Sequence, residues 1–253
     1  SRMGNRLGHG KIIDTMIIDG LWDVYGQTHM GNCAELCAKE YNFSREEQDE
    51  FAIQSYKKSQ KAQLDGYFES EITPVIIRDR KGNEIVIDKD EEPHRVKFDK
   101  ISSLRPAFDK NGSVTAANAS TINDGAAVCI VMSYKKAKEL NIKPIARIVS
   151  QASSAQSPEW FTTAPIGAIK KSISKASDIS IEDIDLFEIN EAFSVVPMAA
   201  IKDLDLDSEK VNVYGGAVSL GHPIGASGAR IMCTLLNSMT QKSAKVGLAS
   251  LIL

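Results

Sequence analysis

Two places in this sequence carry residue types and spacings that could do chemistry: a histidine set among glycines, and an asparagine at the end of an apolar run. The stretch Gly215-Gly216-Ala217-Val218-Ser219-Leu220-Gly221-His222-Pro223-Ile224-Gly225-Ala226-Ser227-Gly228 gathers five glycines around His222. It lies between a predicted strand and a predicted helix, which presents the imidazole at the carboxyl end of a strand, where ligand sites of open α/β sheets collect. An imidazole there can take or give a proton near neutral pH. The competing reading is a structural histidine bonded to backbone. The glycine spacing is not the dinucleotide fingerprint, and no Lys-Ser/Thr follows as a phosphate-binding P-loop needs.

The second place is Glu188-Ile189-Asn190-Glu191-Ala192-Phe193. Asn190 can orient a water or hold a carbonyl oxygen; it can equally cap the helix that follows, with Glu191 in the first turn against the helix dipole. His29, Cys33 and Cys37, spaced i, i+4, i+8, make one helical stripe. Zinc is one reading of that stripe. The other is that both cysteines are small buried hydrophobes, since Cys-x3-Cys is not a zinc-knuckle spacing and no second Cys/His pair follows. His94-Arg95-Val96-Lys97-Phe98-Asp99-Lys100 supplies cations that could meet a phosphate-bearing ligand or could be a solvated loop.

The elements that must position these groups read as an α/β protein. Residues 1–28 are loops with one apolar run, 12–18. From His29 the pattern turns helical, and Ser44-Arg45-Glu46-Glu47 opens a second helix through a capping box, with Gly66 supplying its left-handed end. Residues 71–77 and 84–87 alternate around Lys81-Gly82-Asn83 and predict a two-stranded ribbon. Small residues dominate 112–127, where backbone can approach backbone closely. Further on come an apolar segment at 128–132, a strand at 146–149 and a helix at 167–176. A second capping signal at Ser180 to Asp183 then precedes a strand at 185–189. A helix after Asn190, a strand at 211–214, a striped helix carrying Ile231, Leu235 and Met239, and a last strand at 246–253 complete the pattern. Alternating strands and helices predict α/β layers.

Composition narrows the function. With 253 residues, 43% hydrophobic and 25% charged, the chain is neither disordered nor fibrous. A net charge of -3 and a pI near 5.9 argue against a nucleic-acid partner. The longest apolar run, 126–132, is far short of the roughly 20 residues of a membrane helix, so no membrane partner is expected. Four cysteines do not make a disulfide framework and predict a reducing compartment. A cytoplasmic location, or the mitochondrial matrix, is expected. Ser1 without an initiator Met and a strand running to the terminus are read as a sequence that continues at both ends.

Taken together, Asn190-Glu191-Ala192-Phe193, Gly215-Gly216-Ala217 and Gly221-His222-Pro223 resemble the two C-terminal signatures of the thiolases. His29-Met30-Gly31 with Ala34-Glu35, Gln48-Asp49, Asn118-Ala119-Ser120 and Asn123-Asp124-Gly125-Ala126-Ala127 match the same family upstream. The resemblance implies a layered α-β-α-β-α fold with mixed five-stranded sheets and an inserted loop domain, incomplete in this chain. It would divide as 1–108 loop domain, 109–141 end of the N-terminal half, and 142–253 C-terminal half. It implies acetyl-CoA C-acetyltransferase activity, through a cysteine thioester, with coenzyme A thioesters as partners and no required cofactor.

By the same resemblance, His222 looks like the histidine that takes the thiol proton and lines an oxyanion hole, and Asn190 like the asparagine that fixes an oxyanion-hole water. His29 and Met30 look like the pair beside the acyl group, as in the short-chain biosynthetic branch. Arg95, Val96, Lys100 and Ser120 would hold coenzyme A. Tyr25, with the backbones of Ala116, Ala117, Ala119 and Val218, is similar to a potassium site of some mitochondrial members. A homo-oligomer, dimer or tetramer, is implied. None of the four cysteines lies in the family's nucleophile motif, and Ile252 stands where the second catalytic cysteine would follow Gly247-Leu248-Ala249-Ser250-Leu251. The chain alone is therefore expected to be inactive and poorly soluble. The alternatives are a degradative 3-ketoacyl-CoA thiolase and a non-catalytic thiolase-like module that binds coenzyme A or acyl lipid.

Overall fold

The computed structural model describes residues 7–252; the first six residues of the expected N-terminal loop and Leu253 of the expected last strand lie outside them. The run at 12–18 enters a wide helical turn, Ile17–Leu21, that leads into the short antiparallel pair β1 (Trp22–Asp23) and β2 (Thr28–His29). Helix α1 (Met30–Tyr41) starts on an unusual cap: His29 Nδ1 accepts from Gly31 N at 3.1 Å. Helix α2 (Arg45–Leu64) begins as its sequence predicts. Ser44 Oγ accepts from Glu47 N while the Glu47 carboxylate accepts from Ser44 N. Gly66, at φ +75°, ends it, and Tyr67 N reaches back to Ala62 O.

The ribbon is present as β3 (Val75–Arg78) and β4 (Glu84–Ile87), but all eight residues are exposed where alternation predicts one covered face. After two single-turn helices, α3 (Glu92–Arg95) and α4 (Phe98–Ile101), comes α5 (Tyr134–Glu139), capped by Ser133. Helix α6 (Ala164–Lys175) corresponds to the helix expected at 167–176. The signal at Ser180 forms a closed turn instead of a helix. Asp183 accepts from both Ser180 N and Ser180 Oγ, and the chain passes directly into β5 (Leu186–Ile189).

Helix α7 (Val195–Leu204) follows, then α8 (Ala217–Leu220), α9 (Ser227–Gln241) and β6 (Gly247–Ser250), which pairs in parallel with β5 from Leu186↔Gly247 to Ile189↔Ser250. Asp185 locks the start of this pair by accepting from Lys245 N and Val246 N. The core lies where α1, α6 and α7 pack on β5: Ala34, Cys37, Ile166, Ile169, Phe187, Ile189, Val195 and Val196 are all buried in one cluster.

Two expected strands, 146–149 and 211–214, resolve differently, and the apolar segment at 128–132 is likewise without strand pairing. Residues 211–214 do not form a strand, because Asn212 sits at φ +46° and its side chain replaces a ladder partner, accepting from Ile189 N and donating to Ile189 O, each at 2.8 Å. Residues 128–132 and 146–149 form no strand at all, and Val128, Ile130, Val131 and Ile148 are exposed. A strand exists only by pairing, and no ladder partner for either segment lies among the described residues. For the same reason the five-stranded sheets implied by the resemblance appear, among the described residues, as three two-stranded ones.

Candidate active site

Asn190 is delivered by β5. Its backbone N–H donates to Ser250 O at 3.0 Å, which carries the β5–β6 ladder one residue past the strand. His222 is delivered by the glycine loop: its N–H donates to Thr121 O at 2.9 Å, and Gly221 before it runs at φ +91°, the left-handed region. A Cβ at Gly221 would lie 2.2 Å from Asn123 Oδ1, so only glycine fits.

These two supports bring the side chains into one place. His222 Nε2 lies 3.4 Å from Asn190 Nδ2, and His222 Nδ1 lies 2.6 Å from Ser227 Oγ. Neither the backbone-bonded histidine nor the helix-capping asparagine is what the fold makes of them. The imidazole bonds side chains rather than backbone, and Asn190 caps nothing, since α7 begins at Val195. Burial, and then the nearby Arg230 guanidinium, push the His222 pKa down to about 4, so the ring is neutral at neutral pH and available as a base.

Glu191 does not sit in a helix first turn as expected. Its fully buried carboxylate accepts from Ser55 Oγ (2.7 Å), Asn212 Nδ2 (2.8 Å) and Val218 N (3.1 Å), and so ties α2, the 212 turn and α8 together. Gly216 must be glycine to let it in: a Cβ there would fall 2.3 Å from the Glu191 carboxyl carbon. Behind Asn190, Glu188 Oε2 and Arg230 Nη1 are 3.9 Å apart, beyond hydrogen-bond reach. The guanidinium only partly offsets burial, and the Glu188 carboxyl is pushed up to about 8.

The other expected site residues divide into those the fold gathers and those it leaves outside. Ser120 is gathered: its N–H and Oγ both donate to Ala192 O, two residues after Asn190. Residues 119 and 122 bridge to Phe193 and His222, so the small-residue strip runs between the two motifs. Met30 packs on the cluster that holds Phe193, and the His29 ring lies against Phe108, centroids 4.7 Å apart and tilted by 32°. Val96 packs against Ala52, Tyr56 and Val218.

Arg95 and Lys100 are exposed; Arg95 pairs with Glu91 and Glu92, and Lys100 lies 3.7 Å from Asp99. Tyr25 is 82% exposed, and its N–H bonds only to Asp23. The fold buries Cys33 and Cys37, and no group of three or more His, Cys, Asp or Glu among the described residues could hold a metal. A depression of about 430 Å3 opens beside the loop between Asn123–Ala127 and Pro223–Ala226, but neither His222 nor Asn190 lines it.

Ser227 is what the sequence reading passed over, and Glu191 it read only as a helix first-turn residue. The signal for Ser227 was its place five residues after His222 inside the same glycine loop.

The α/β core aims a neutral imidazole and a carboxamide at one point, and such a pair can accept a proton and donate to a carbonyl oxygen. The chain belongs to the thiolase family: residues 1–135 match the thiolase N-terminal domain and residues 142–253 the thiolase C-terminal domain. It is 51% identical over 252 residues to an acetyl-CoA acetyltransferase of Cupriavidus necator, covering 99% of this chain and 64% of that protein. Against an acetyl-CoA acetyltransferase of Schizosaccharomyces pombe it is 49% identical over 252 residues, covering 99% and 63%.

The crystal structure of a Bacillus anthracis acetyl-CoA acetyltransferase superposes with a TM-score of 0.94 at 45% identity, over 100% of this chain and 64% of that one. An Ascaris suum thiolase, Acat5, solved in complex with coenzyme A, superposes with a TM-score of 0.87 at 45% identity, over 94% of this chain and 61% of that one. The fold is therefore the thiolase α/β fold, and the chain spans about 64% of the length of the curated relatives it matches.

Proposed function

We propose that this chain contributes the proton-transfer and oxyanion-binding side of an acetyl-CoA C-acetyltransferase, which reversibly joins two acetyl-CoA into acetoacetyl-CoA and coenzyme A. The observation that carries this reading is the 3.4 Å approach of His222 Nε2 and Asn190 Nδ2 at the meeting of two loops. In the reaction a thiol gives its proton to Nε2, and the thiolate attacks the thioester carbonyl. The protonated ring and the Asn190 amide then face the oxyanion that forms.

None of the four cysteines fits the thiol. The Cys37 thiol is pushed up to about 11 by burial, Cys33 is buried beside it on α1, and Cys129 and Cys233 face each other at 3.6 Å. The nucleophilic sulfur must come from outside these residues, and the chain by itself turns nothing over.

His29 and Met30 would border the acyl group, and Ser120 and Val96 the pantetheine arm. Arg95 and Lys100 would meet the nucleotide end once their carboxylate partners yield. Coenzyme A acts as substrate and product, with no separate cofactor. A potassium ion at Tyr25 would need that side chain to fold in from solvent. Free thiols suit a reducing compartment, the cytoplasm or mitochondrial matrix, and we assign a homo-oligomer on the family likeness.

The test is a chimera in which this chain replaces the matched 64% of the Cupriavidus necator enzyme. Thiolysis of acetoacetyl-CoA should proceed, exceed that of a long-chain 3-ketoacyl-CoA, and fall by about 10²- to 10⁴-fold in His222→Ala. Turnover indifferent to that change would reject the role of His222. Preference for the long-chain substrate would favour the degradative reading.

A further inference from the structure

The glycine loop does more than hold His222 in place. Ser227, where the loop passes into the first turn of α9, is fully buried and touches the far side of the same ring: Ser227 Oγ is 2.6 Å from His222 Nδ1 and 3.1 Å from Pro223 O. A hydroxyl has one proton to give. Pro223 O is an acceptor only, so when Ser227 donates there its oxygen must receive a proton from Nδ1. At the opposite edge of the ring Asn190 presents its Nδ2, a donor only, to Nε2. Two independent contacts therefore ask for the same arrangement, a proton on Nδ1 and a bare Nε2. The Ser227 to Pro223 leg is the usual bond of a serine hydroxyl to the carbonyl four residues earlier. It is held in register by Ser227 N and Ala226 N, which both donate to Pro223 O at 2.9 and 2.7 Å.

We propose that Ser227 is a positioning residue that selects the Nδ1–H tautomer of His222 and so keeps Nε2 free toward Asn190. The assignment deepens the acyl-transfer reading and rests on it for its purpose. Proton balance is simple: a thiol S–H passes its proton to Nε2, leaving a thiolate and an imidazolium whose Nδ1–H still donates to Ser227 Oγ, while the serine hydroxyl still donates to Pro223 O. No ring flip or second transfer is required. With the opposite tautomer Nε2 would already carry a proton and could not accept one, so the first step would wait on rearrangement.

The ring nitrogens report this directly. The chain has four histidines, His9, His29, His94 and His222, so a histidine-specific 15N label gives few signals, and a His222→Asn sample assigns them by subtraction. Solid-state spectra of the sedimented 253-residue chain at neutral pH need no turnover and tolerate poor solubility. The expected result is a protonated Nδ1 and an unprotonated Nε2 for His222. Ser227→Ala should move the proton wholly or partly to Nε2, and Ser227→Thr, which keeps the hydroxyl, should restore Nδ1–H.

A protonated Nε2 in the unsubstituted chain overturns the proposal, and so does a tautomer unchanged in Ser227→Ala. Should Ser227→Ala fail to fold, the unsubstituted spectrum still decides. An inactive chimera would count against the acyl-transfer reading and leave the tautomer standing; a wrong tautomer would do the reverse.

Discussion

Gly221 is the residue on which the imidazole's placement depends most directly. Its φ of +91° strains any L side chain, and the Asn123 carboxamide fills the space a Cβ would take. Gly221→Ala should cost about 1–3 kcal/mol of stability and shift the urea midpoint down accordingly. Glu191 carries more. Truncation to Ala would strand the Ser55 hydroxyl, the Asn212 amide and Val218 N without their buried acceptor, a loss on the order of 3–5 kcal/mol that should appear as a lowered midpoint or a broadened transition.

Glu188 gives a pH signature. Its carboxyl is raised from 4.5 to about 8, so the folded state keeps a proton that the unfolded state releases, and its contribution to stability falls as pH rises through that window. His222, lowered from 6.5 to about 4, works oppositely: the unfolded state takes up a proton that the folded state refuses, so stability rises with pH between those values. Above pH 6.5 the His222 effect is spent, while the Glu188 effect remains, in the same direction as the raised Glu191 beside it. Stability should decline from pH 6.5 to 8, and Glu188→Gln should flatten that decline in urea titrations taken at successive pH values.

At the scale of elements, α2 and the β5–β6 pair do different work. Helix α2 is held at both ends by local chemistry, the Ser44 capping box and the Gly66 terminus, and it carries Ser55 into contact with Glu191. Ser44→Ala should lower stability by about 1 kcal/mol, read as a shift in thermal midpoint, with little effect on the distant His222–Asn190 contact.

The β5–β6 pair has no such local guarantee. It joins residues some sixty positions apart through the parallel register Leu186↔Gly247 to Ile189↔Ser250 and the Asp185 clamp. That register, continued by Asn190 N to Ser250 O, sets where Asn190 stands relative to the imidazole.

Across the whole molecule, apolar surface is unevenly covered. Val128 is 81% exposed, Ile130 84% and Ile145 80%, on backbone without ladder partners. Unpaired extended segments of this kind offer N–H and C=O groups to any neighbouring strand. The 253-residue chain should therefore self-associate in a concentration-dependent way, visible by sedimentation velocity. Val128→Lys with Ile130→Lys should reduce that association by placing charge on the edge. A monodisperse monomer at all concentrations would contradict this expectation.

What the sequence determined by itself was local. The Ser44 box, the Gly66 terminus and the apolar stripe of α9 rest on neighbours within a few residues, and each forms as its pattern requires; the glycine loop presents His222 but follows no strand at 211–214 and contains α8. The motifs around Asn190 and His222 were likewise legible, because their residue types are confined to short runs.

Tertiary structure alone decided the rest. Strand pairing at 128–132, 146–149 and 211–214 depends on partners that local pattern cannot name, and in the last case a single Asn212 side chain took the partner's place. The burial of Glu191 and the neutral state of His222 follow from what the fold packs around them, since desolvation is a property of the assembled interior and not of the residue.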